Sequence, residues 1–232
     1  MPLLLNAAAL PEETLGRMLH ALPPSRREAA EHRRAPGAFR EAVAASYLAL
    51  YALGKGPEKE GSPLLFPTLE ELLAEEDAAA RLGEAAGWPV GPHGQPFPDG
   101  FAADGKPRYI SLSHSEGLAA AVCRAGPVGL DVQVLPSDPA ERLRRIAGKF
   151  HPAEQERLAA LPDAALSAAF TELWTRKESV LKLCGRGLSL PLSSFCVGKD
   201  GRGTLDGRTF QTVDYPLMCA PVRAALAEAV WA

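Results

Sequence analysis

The densest group of reactive side chains lies in the stretch from Phe170 to Leu190, FTELWTRKESVLKLCGRGLSL. Lys177, Glu178 and Lys182 bring one carboxylate and two ammonium groups together on one predicted helix. Glu178 and Lys182 are four residues apart and are neighbours on a helix, so the simplest interpretation is a surface ion pair. A Gly-Arg-Gly turn follows, and such glycines let a backbone come close to a ligand. The stretch therefore also suits a site for a metal ion and phosphate groups.

Two more groups earlier in the chain suit the same chemistry. Ser113-His114 ends a predicted strand, and Asp131 lies inside another strand among apolar residues, where a carboxylate needs a partner or a metal ion. A hard cation such as magnesium takes oxygen ligands from one or two carboxylates together with substrate phosphates. Asp131 and Glu178 are far apart in sequence, so only folding brings them together. Around one centre, these groups would suit attack on a pyrophosphate.

The elements that must position these groups follow from the hydrophobic pattern. The apolar residues of the 170–184 stretch fall in one sector of a helix, and this helix is predicted to end at Gly185. Lys177 lies on the same helix, and we expect its side chain to extend so that the ammonium group reaches water. Three apolar runs, RYISLSHS, LAAAVCRAG and VGLDVQV, have the spacing of an antiparallel meander buried in a sheet. Helices are predicted near residues 11–22, 25–34, 38–53 and 68–87, and further strand-like runs near 192–198 and 208–226. The last residues fit a strand or a helix equally well.

Two details concern the helices near the start of the chain. Ser25 with Glu28 forms a capping-box pattern at the start of an arginine-rich helix. Arg26 in this helix suits either a solvated face or an anion. Arg40 lies in the first turn of the next helix, where it opposes the helix dipole unless an anion compensates. Helices followed by strands occur in both halves, which is compatible with two α+β units, expected at residues 1–126 and 127–232.

Composition excludes several classes of protein. The net charge is −3 with a pI near 6.0 and 47% hydrophobic residues, which argues against general binding to nucleic acid or to a membrane surface. The four cysteines lie far apart without a C-x-x-C motif, which favours buried free thiols and a reducing compartment. The first residues lack the pattern of a signal peptide, and no apolar run reaches membrane-spanning length. We therefore expect a cytoplasmic protein.

The order ISLSHS, VGLDVQ and FTELWTRKESVLKLCGRGLSLPLSSFCV resembles the 4'-phosphopantetheinyl transferases of the surfactin-synthetase-activator (Sfp) type. That family shows motifs close to S-H-S, G-[IL]-D-[IV]-E and W-[TS]-x-K-E-[SA] followed by a lysine and G-x-G-L. The resemblance covers residues 88–197 well and residues 25–53 loosely. It implies an α+β enzyme with two pseudo-symmetric halves, with coenzyme A and a magnesium ion in the cleft between them. Such enzymes move the phosphopantetheine arm of coenzyme A to a serine of an apo acyl or peptidyl carrier protein and release adenosine 3',5'-bisphosphate.

The resemblance also implies roles for residues in the C-terminal half. Asp131 and Glu178 match the family's magnesium ligands, and Glu178 also matches the base that accepts the proton of the incoming serine. Lys182 would hold the pyrophosphate and stabilise the leaving group, and Lys177 would support the same charge. Gln133 stands where the family usually has an acid, so it would be a neutral ligand, direct or through a water, and magnesium would bind more weakly.

The N-terminal half would bind the nucleotide. The resemblance places Ser113 and His114 against the phosphates of coenzyme A, and Arg26 and Arg40 around its 3'-phosphate. Two segments match the nucleotide-contacting G-K-P motif, Gly94-Gln95-Pro96 and Gly105-Lys106-Pro107. The second lies very close to the following strand, which favours Gln95.

Other functions stay open at this point. An inactive relative that binds a carrier protein or coenzyme A would fit the glutamine at position 133, and a magnesium-dependent phosphohydrolase is a weaker alternative because no P-loop is present. An acidic, helical carrier protein would dock near some of Arg142, Arg144 and Arg145. Because duplicated halves already form the cleft, we expect a monomer.

Overall fold

The computed structural model describes residues 2–56, 63–86, 88, 90, 107–219 and 222–232. The chain divides into two compact units, Met1–Val128 and Gly129–Ala232. Both units combine helices with sheets of antiparallel strand pairs, which confirms the predicted α+β class. The pseudo-symmetry of the halves and a cleft between them stay predictions.

The described residues of the first unit form a three-stranded sheet and five α-helices. Its strands have the spatial order β1-β3-β2. The strands are β1 (Leu3–Asn6), β2 (Tyr109–Ser115) and β3 (Leu118–Arg124), and the helices are α1 (Glu12–Ala21), α2 (Pro24–Glu31), α3 (Pro36–Lys55), α4 (Leu69–Ala74) and α5 (Glu76–Ala86).

Two helix predictions in this unit need correction. The helix predicted at 68–87 is divided into α4 and α5, and the capping box lies here, between Thr68 and Glu71. The capping box predicted at Ser25 is wrong, because α2 begins one residue earlier and its N-cap, Pro23, makes no side-chain hydrogen bond. A proline in the first turn loses no helical hydrogen bond, so this helix start needs no serine cap.

Helix α3 forms the centre of the first unit. Val43, Tyr47 and Leu50 are fully buried in the core, where α3 packs on β2 and β3. The middle of β3 carries three consecutive alanines, Ala119–Ala121, all fully buried, and these small side chains let the helix lie close to the sheet. The first turns of α3 thereby come close to the end of β2 and the β2–β3 turn.

In the second unit, the residues that the structure describes form a four-stranded sheet with the order β4-β7-β6-β5 and three α-helices. These are β4 (Val128–Val134), which starts at the unit boundary, α6 (Ala140–Ala147), α7 (Pro152–Ala159), α8 (Asp163–Cys184), β5 (Arg202–Leu205), β6 (Arg208–Cys219) and β7 (Val222–Trp231).

The predicted meander is wrong at its third strand. Strand β3 already pairs with β2 on one edge and with β1 on the other, so β4 has no place beside it and neighbours β7 instead. The end of the chain is a strand, and the run at 192–198 begins as a short 3-10 helix instead of the predicted strand.

Helix α8 and strand β4 are in direct contact. The helix ends at Gly185, whose φ of 68° is the left-handed cap that the sequence predicts. On β4, a side chain at Gly129 would place its Cβ 1.8 Å from the carbonyl oxygen of Ser179, so only glycine fits there. This contact brings Asp131, two residues further along β4, to the part of α8 that carries Glu178 and Lys182.

Two smaller findings concern the cysteines and the length of the helices among the described residues. Cys123, Cys184 and Cys196 are free thiols, of which Cys123 is buried. Among the helices of the described ranges, none is long and apolar enough to cross a membrane.

Candidate functional site

The centre of the candidate site is the carboxylate of Asp131 in β4. Its residue is only 2% exposed, and each of its oxygens accepts a hydrogen bond. Lys182 Nζ on α8 lies 2.7 Å from Oδ1, and Gln133 Nε2 lies 3.0 Å from Oδ2. The strand and the helix thus share a charged group that neither element forms alone.

Glu178 lies half-buried in the same group. Burial and the neighbouring charge of Asp131 raise the pKa of the Glu178 carboxyl to about 7, against the opposing effect of Lys182. A carboxylate with a pKa near the working pH is suited to accept and return protons. The structure therefore brings together Asp131, Gln133, Glu178 and Lys182, whose catalytic roles stay predictions.

Gln133 takes part in this group in an unexpected way. An ionised carboxylate only accepts hydrogen bonds, so the amide nitrogen of Gln133 must face Asp131. A nitrogen that donates its proton does not bind a cation. The atom of Gln133 beside Asp131 thus differs from the ligand oxygen that the resemblance implied.

Lys177 lies in a different environment from Lys182. Its side chain is 0% exposed, its Nζ lies 2.7 Å from Glu154 Oε2, and it donates to the carbonyl of Phe195 at 2.8 Å. This corrects the expectation that its ammonium reaches water. It also differs from the implied role in charge stabilisation, because an ammonium with these partners inside the core is not available to a phosphate.

In the first unit, His114 is held by a residue that the sequence analysis gave no role. Its Nδ1 lies 2.9 Å from Glu41 Oε2, while Glu41 Oε1 accepts a hydrogen bond from the Gly117 amide at 2.5 Å. Glu41 thereby fixes the imidazole and the turn after β2. The sequence signal that could have identified Glu41 is its position directly before residues 42–54 of α3, which carry no charge. Ser113 is 5% exposed on the same strand.

The two predicted anion-binding arginines differ. Arg26 donates to Ser46 Oγ at 2.8 and 3.2 Å and lies over the Trp88 ring, and burial together with Arg33 lowers the pKa of its guanidinium. Ser46 and Trp88 are neutral, so Arg26 keeps a positive charge suited to an anion. Arg40 instead pairs with Glu12 and donates to the carbonyls of Ala7 and Leu10.

The anion that compensates Arg40 at the start of α3 is therefore supplied by the protein itself. The implied binding of a 3'-phosphate by Arg40 has no support in this arrangement. Gln95 and the dipeptide Gly105-Lys106 lie outside the described residues. Of the predicted docking arginines, Arg144 is committed to the carbonyls of Leu158 and Leu161 and to Asp163.

The donor set around Asp131 fits a hard divalent cation. Among the residues that the structure describes, no three or more His, Cys, Asp or Glu side chains are grouped so that they could hold a metal ion. Asp131 and Glu178 nevertheless supply two carboxylates that influence each other, and magnesium in phosphate-transfer sites takes one or two carboxylates with substrate phosphates and water. Two acids beside a lysine are the types of side chain that a cation and a phosphate group would need.

The comparisons with known proteins point to one class. Residues 127–218 match the family model of the 4'-phosphopantetheinyl transferase superfamily. The chain is 36% identical over 101 residues to 4'-phosphopantetheinyl transferase psf-1 of Bacillus pumilus, which covers 42% of the chain and 41% of the relative. A 4'-phosphopantetheinyl transferase of Bacillus subtilis is 30% identical over 128 residues, which cover 52% of the chain and 55% of the relative. The 4'-phosphopantetheinyl transferase gsp of Aneurinibacillus migulanus is 30% identical over 102 residues, which cover 42% of the chain and 40% of the relative.

The matched segment contains β4, α8 and the whole group around Asp131. This segment matches the 4'-phosphopantetheinyl transferase superfamily, and the relatives confirm the resemblance of the chain to the Sfp type. The chain matches about half of the length of these curated relatives.

Proposed function

We propose that this protein transfers the 4'-phosphopantetheine arm of coenzyme A to a serine of an apo acyl or peptidyl carrier protein, with magnesium as the metal. The observation that supports it best is the contact between Asp131 and Lys182 beside Glu178, inside the segment that matches the transferase family. The transferase names of the relatives support the same activity.

Each residue of the group has a task in this reaction. The serine hydroxyl of the carrier attacks the phosphorus that bears the pantetheine arm, and the bond to the bridging oxygen of the pyrophosphate breaks. Adenosine 3',5'-bisphosphate leaves with the bridging oxygen. Glu178 accepts the hydroxyl proton, for which a pKa of about 7 is suitable. Lys182 stabilises the negative charge on the leaving phosphate.

Asp131 and Glu178 would hold the magnesium ion. When bound, the ion neutralises charge on the phosphate oxygens. Gln133 serves this site by orienting Asp131 through its hydrogen bond to Oδ2. In the first unit, Arg26 and His114 are the proposed contacts to the nucleotide, with His114 held by Glu41.

A second candidate is a relative that binds carrier protein or coenzyme A without transfer. It is favoured by Gln133, which replaces an acid of the family motif and directs its amide nitrogen at Asp131. The protein would then be a monomeric binding module for the same partners.

The test is a mass measurement on an apo carrier protein incubated with the full chain, coenzyme A and magnesium. We expect the mass of one phosphopantetheine arm to be added. Glu178→Ala should lower the rate about 10²- to 10⁴-fold, which is the range of a lost general base. Glu172→Ala, an exposed carboxylate on the same helix, is the matched control and should keep the rate.

Two outcomes would contradict the proposal. Binding of coenzyme A without modification of any carrier protein would favour the binding module. Full turnover by Glu178→Ala or by Asp131→Ala would remove the site assignment.

A further inference from the structure

The Asp131 carboxylate carries a positive charge that belongs to the protein. Lys182 Nζ lies 2.7 Å from Oδ1, in an ion pair whose acid side chain is 3% exposed and whose lysine side chain is 29% exposed. The position that a cation would take at this oxygen is thus held by an ammonium group. Two cations at one carboxylate oxygen repel each other, and a low local dielectric increases the repulsion.

We propose that Lys182 is a built-in counter-ion of Asp131, which is exchanged for a divalent cation when the site is loaded. This inference rests on the proposed function, because it explains how the same lysine becomes available to a phosphate. Asp131 would then hold the cation, and the ammonium group of Lys182 would be available to the anionic substrate.

The two donors at Asp131 differ in a way that decides which one leaves. Gln133 is a neutral amide on the same strand, two residues away, so it keeps its hydrogen bond to Oδ2 without opposing a cation. Lys182 is partly exposed, and its charged ammonium group lies at the end of a flexible four-carbon side chain. Repulsion therefore displaces the lysine, while the glutamine continues to orient the carboxylate.

Because residue 133 is a neutral glutamine, one lysine is sufficient as the counter-ion on this strand. With a neutral residue there, the ammonium group of Lys182 faces one carboxylate on β4. An acid at the same position would place a second carboxylate on this strand. The departure from the family motif is thus consistent with a single lysine as the counter-ion of Asp131.

The test measures the affinity for magnesium by calorimetric titration of the full chain, in the absence of coenzyme A and carrier protein. Lys182→Met removes the competing charge, so we expect it to bind magnesium about tenfold more tightly than the unmodified protein, a typical size for coupling between two binding events. Lys182→Arg keeps the charge and should stay within about threefold of the unmodified protein, well inside the range of such a coupling. Lys149→Met removes an exposed charge from the same unit and is the control for net charge.

If the Lys182→Met variant folds poorly, a second variant and a second measurement test the same exchange. Lys182→Gln keeps a donor without charge, and magnesium should raise its melting temperature more than that of the unmodified protein, because the ion binds without competition from the Lys182 charge. Unchanged or weaker magnesium binding in Lys182→Met, an equal shift for Lys182→Gln, or no binding by any of these proteins would overturn the exchange.

The two proposals fail in different experiments. A protein that exchanges Lys182 for magnesium but modifies no carrier protein would refute the transferase activity alone. A protein that modifies a carrier but shows the same magnesium affinity with and without the lysine charge would refute the exchange alone.

Discussion

Helix α8 carries two lysine–carboxylate pairs of the same length in very different surroundings. Lys177 lies 2.7 Å from Glu154, and Lys182 lies 2.7 Å from Asp131. In the first pair both side chains are 0% exposed, whereas the lysine of the second pair is 29% exposed. The distance between the charges therefore does not separate a structural pair from a reactive one.

The partners of each pair make the difference. Glu154 also accepts hydrogen bonds from the amides of Val197 and His151, and Lys177 donates to Phe195 and lies 4.0 Å from the centre of its ring. This network satisfies its members inside the core and fixes the loop after α8. The pair at Asp131 instead has Glu178 beside it, whose pKa is raised to about 7. One pair stabilises the unit, and the other leaves charge available for chemistry.

The largest expected effect comes from breaking the buried pair. Lys177→Met leaves Glu154 as a buried charge without its ammonium, and we expect a loss of about 3–5 kcal/mol in the free energy of unfolding. Urea denaturation followed by circular dichroism measures it. Lys149→Met, at an exposed lysine, should change stability by less than about 0.5 kcal/mol.

The double variant Lys177→Met with Glu154→Leu sharpens this result. Replacing both partners removes the isolated charge, so part of the lost stability should return. A loss below about 1 kcal/mol for Lys177→Met alone, in the range of exposed pairs, would mean that its ammonium is not buried as described and that the two pairs are alike.

A smaller effect is expected from separating β4 and α8. A Cβ at Gly129 would lie 1.8 Å from the Ser179 carbonyl oxygen and 2.4 Å from the Leu183 amide nitrogen, so Gly129→Ala must move the strand. We expect a loss of about 1–3 kcal/mol, typical of overpacking, measured by urea denaturation. The same movement should weaken the Asp131–Lys182 pair and leave Lys177 with Glu154.

Gly126→Ala provides the matched control, since a Cβ there meets nothing within 4 Å. It should keep both stability and any transfer activity. A Gly129→Ala protein as stable and as active as the control would show that the strand and the helix do not need this contact.

Much of the second unit follows from local rules in the sequence. The apolar sector of α8 and the glycine at its end predict the helix and its stop, and the structure has both. The proximity of Asp131 to Lys182 came from the family resemblance, because no local rule brings together residues so far apart. Gly129 carried a physical signal for that contact, since a glycine inside an apolar strand marks a close approach.

The other differences between the sequence predictions and the structure have a common cause, which is tertiary contact between residues far apart in the chain. Helical spacing alone does not distinguish Lys177 from Lys182, because the partner of Lys177 comes from α7 and that of Lys182 from β4. Similarly, Arg40 at a helix start correctly predicted a nearby anion, but the anion is Glu12 of the same protein. Strand spacing predicted the meander, yet the pairing of β1 with β3 is a long-range contact.

The smallest predicted effect tests the pH dependence of stability that Glu178 contributes beside the pair at Asp131. The folded protein raises the pKa of Glu178 from its ordinary value of 4.5 to about 7, so between these values the folded state holds a proton that the unfolded state has lost. Stability must then decrease as the pH rises from about 4.5 to about 7, because ionised Glu178 is disfavoured only in the folded state. Glu178→Gln removes this penalty and should be more stable than the unmodified protein by about 1–2 kcal/mol above pH 7, after allowance for solvent screening.

At about pH 4.5 and below, where the carboxyl keeps its proton, the Glu178→Gln variant and the unmodified protein should have the same stability. Urea denaturation at the two ends of this range, without divalent cations, measures the difference, and Glu172→Gln is the control on the exposed face of α8. An equal difference at both pH values would show that Glu178 is not under the influence of burial and of Asp131. The distinction between the two lysines of α8 would then rest on exposure alone.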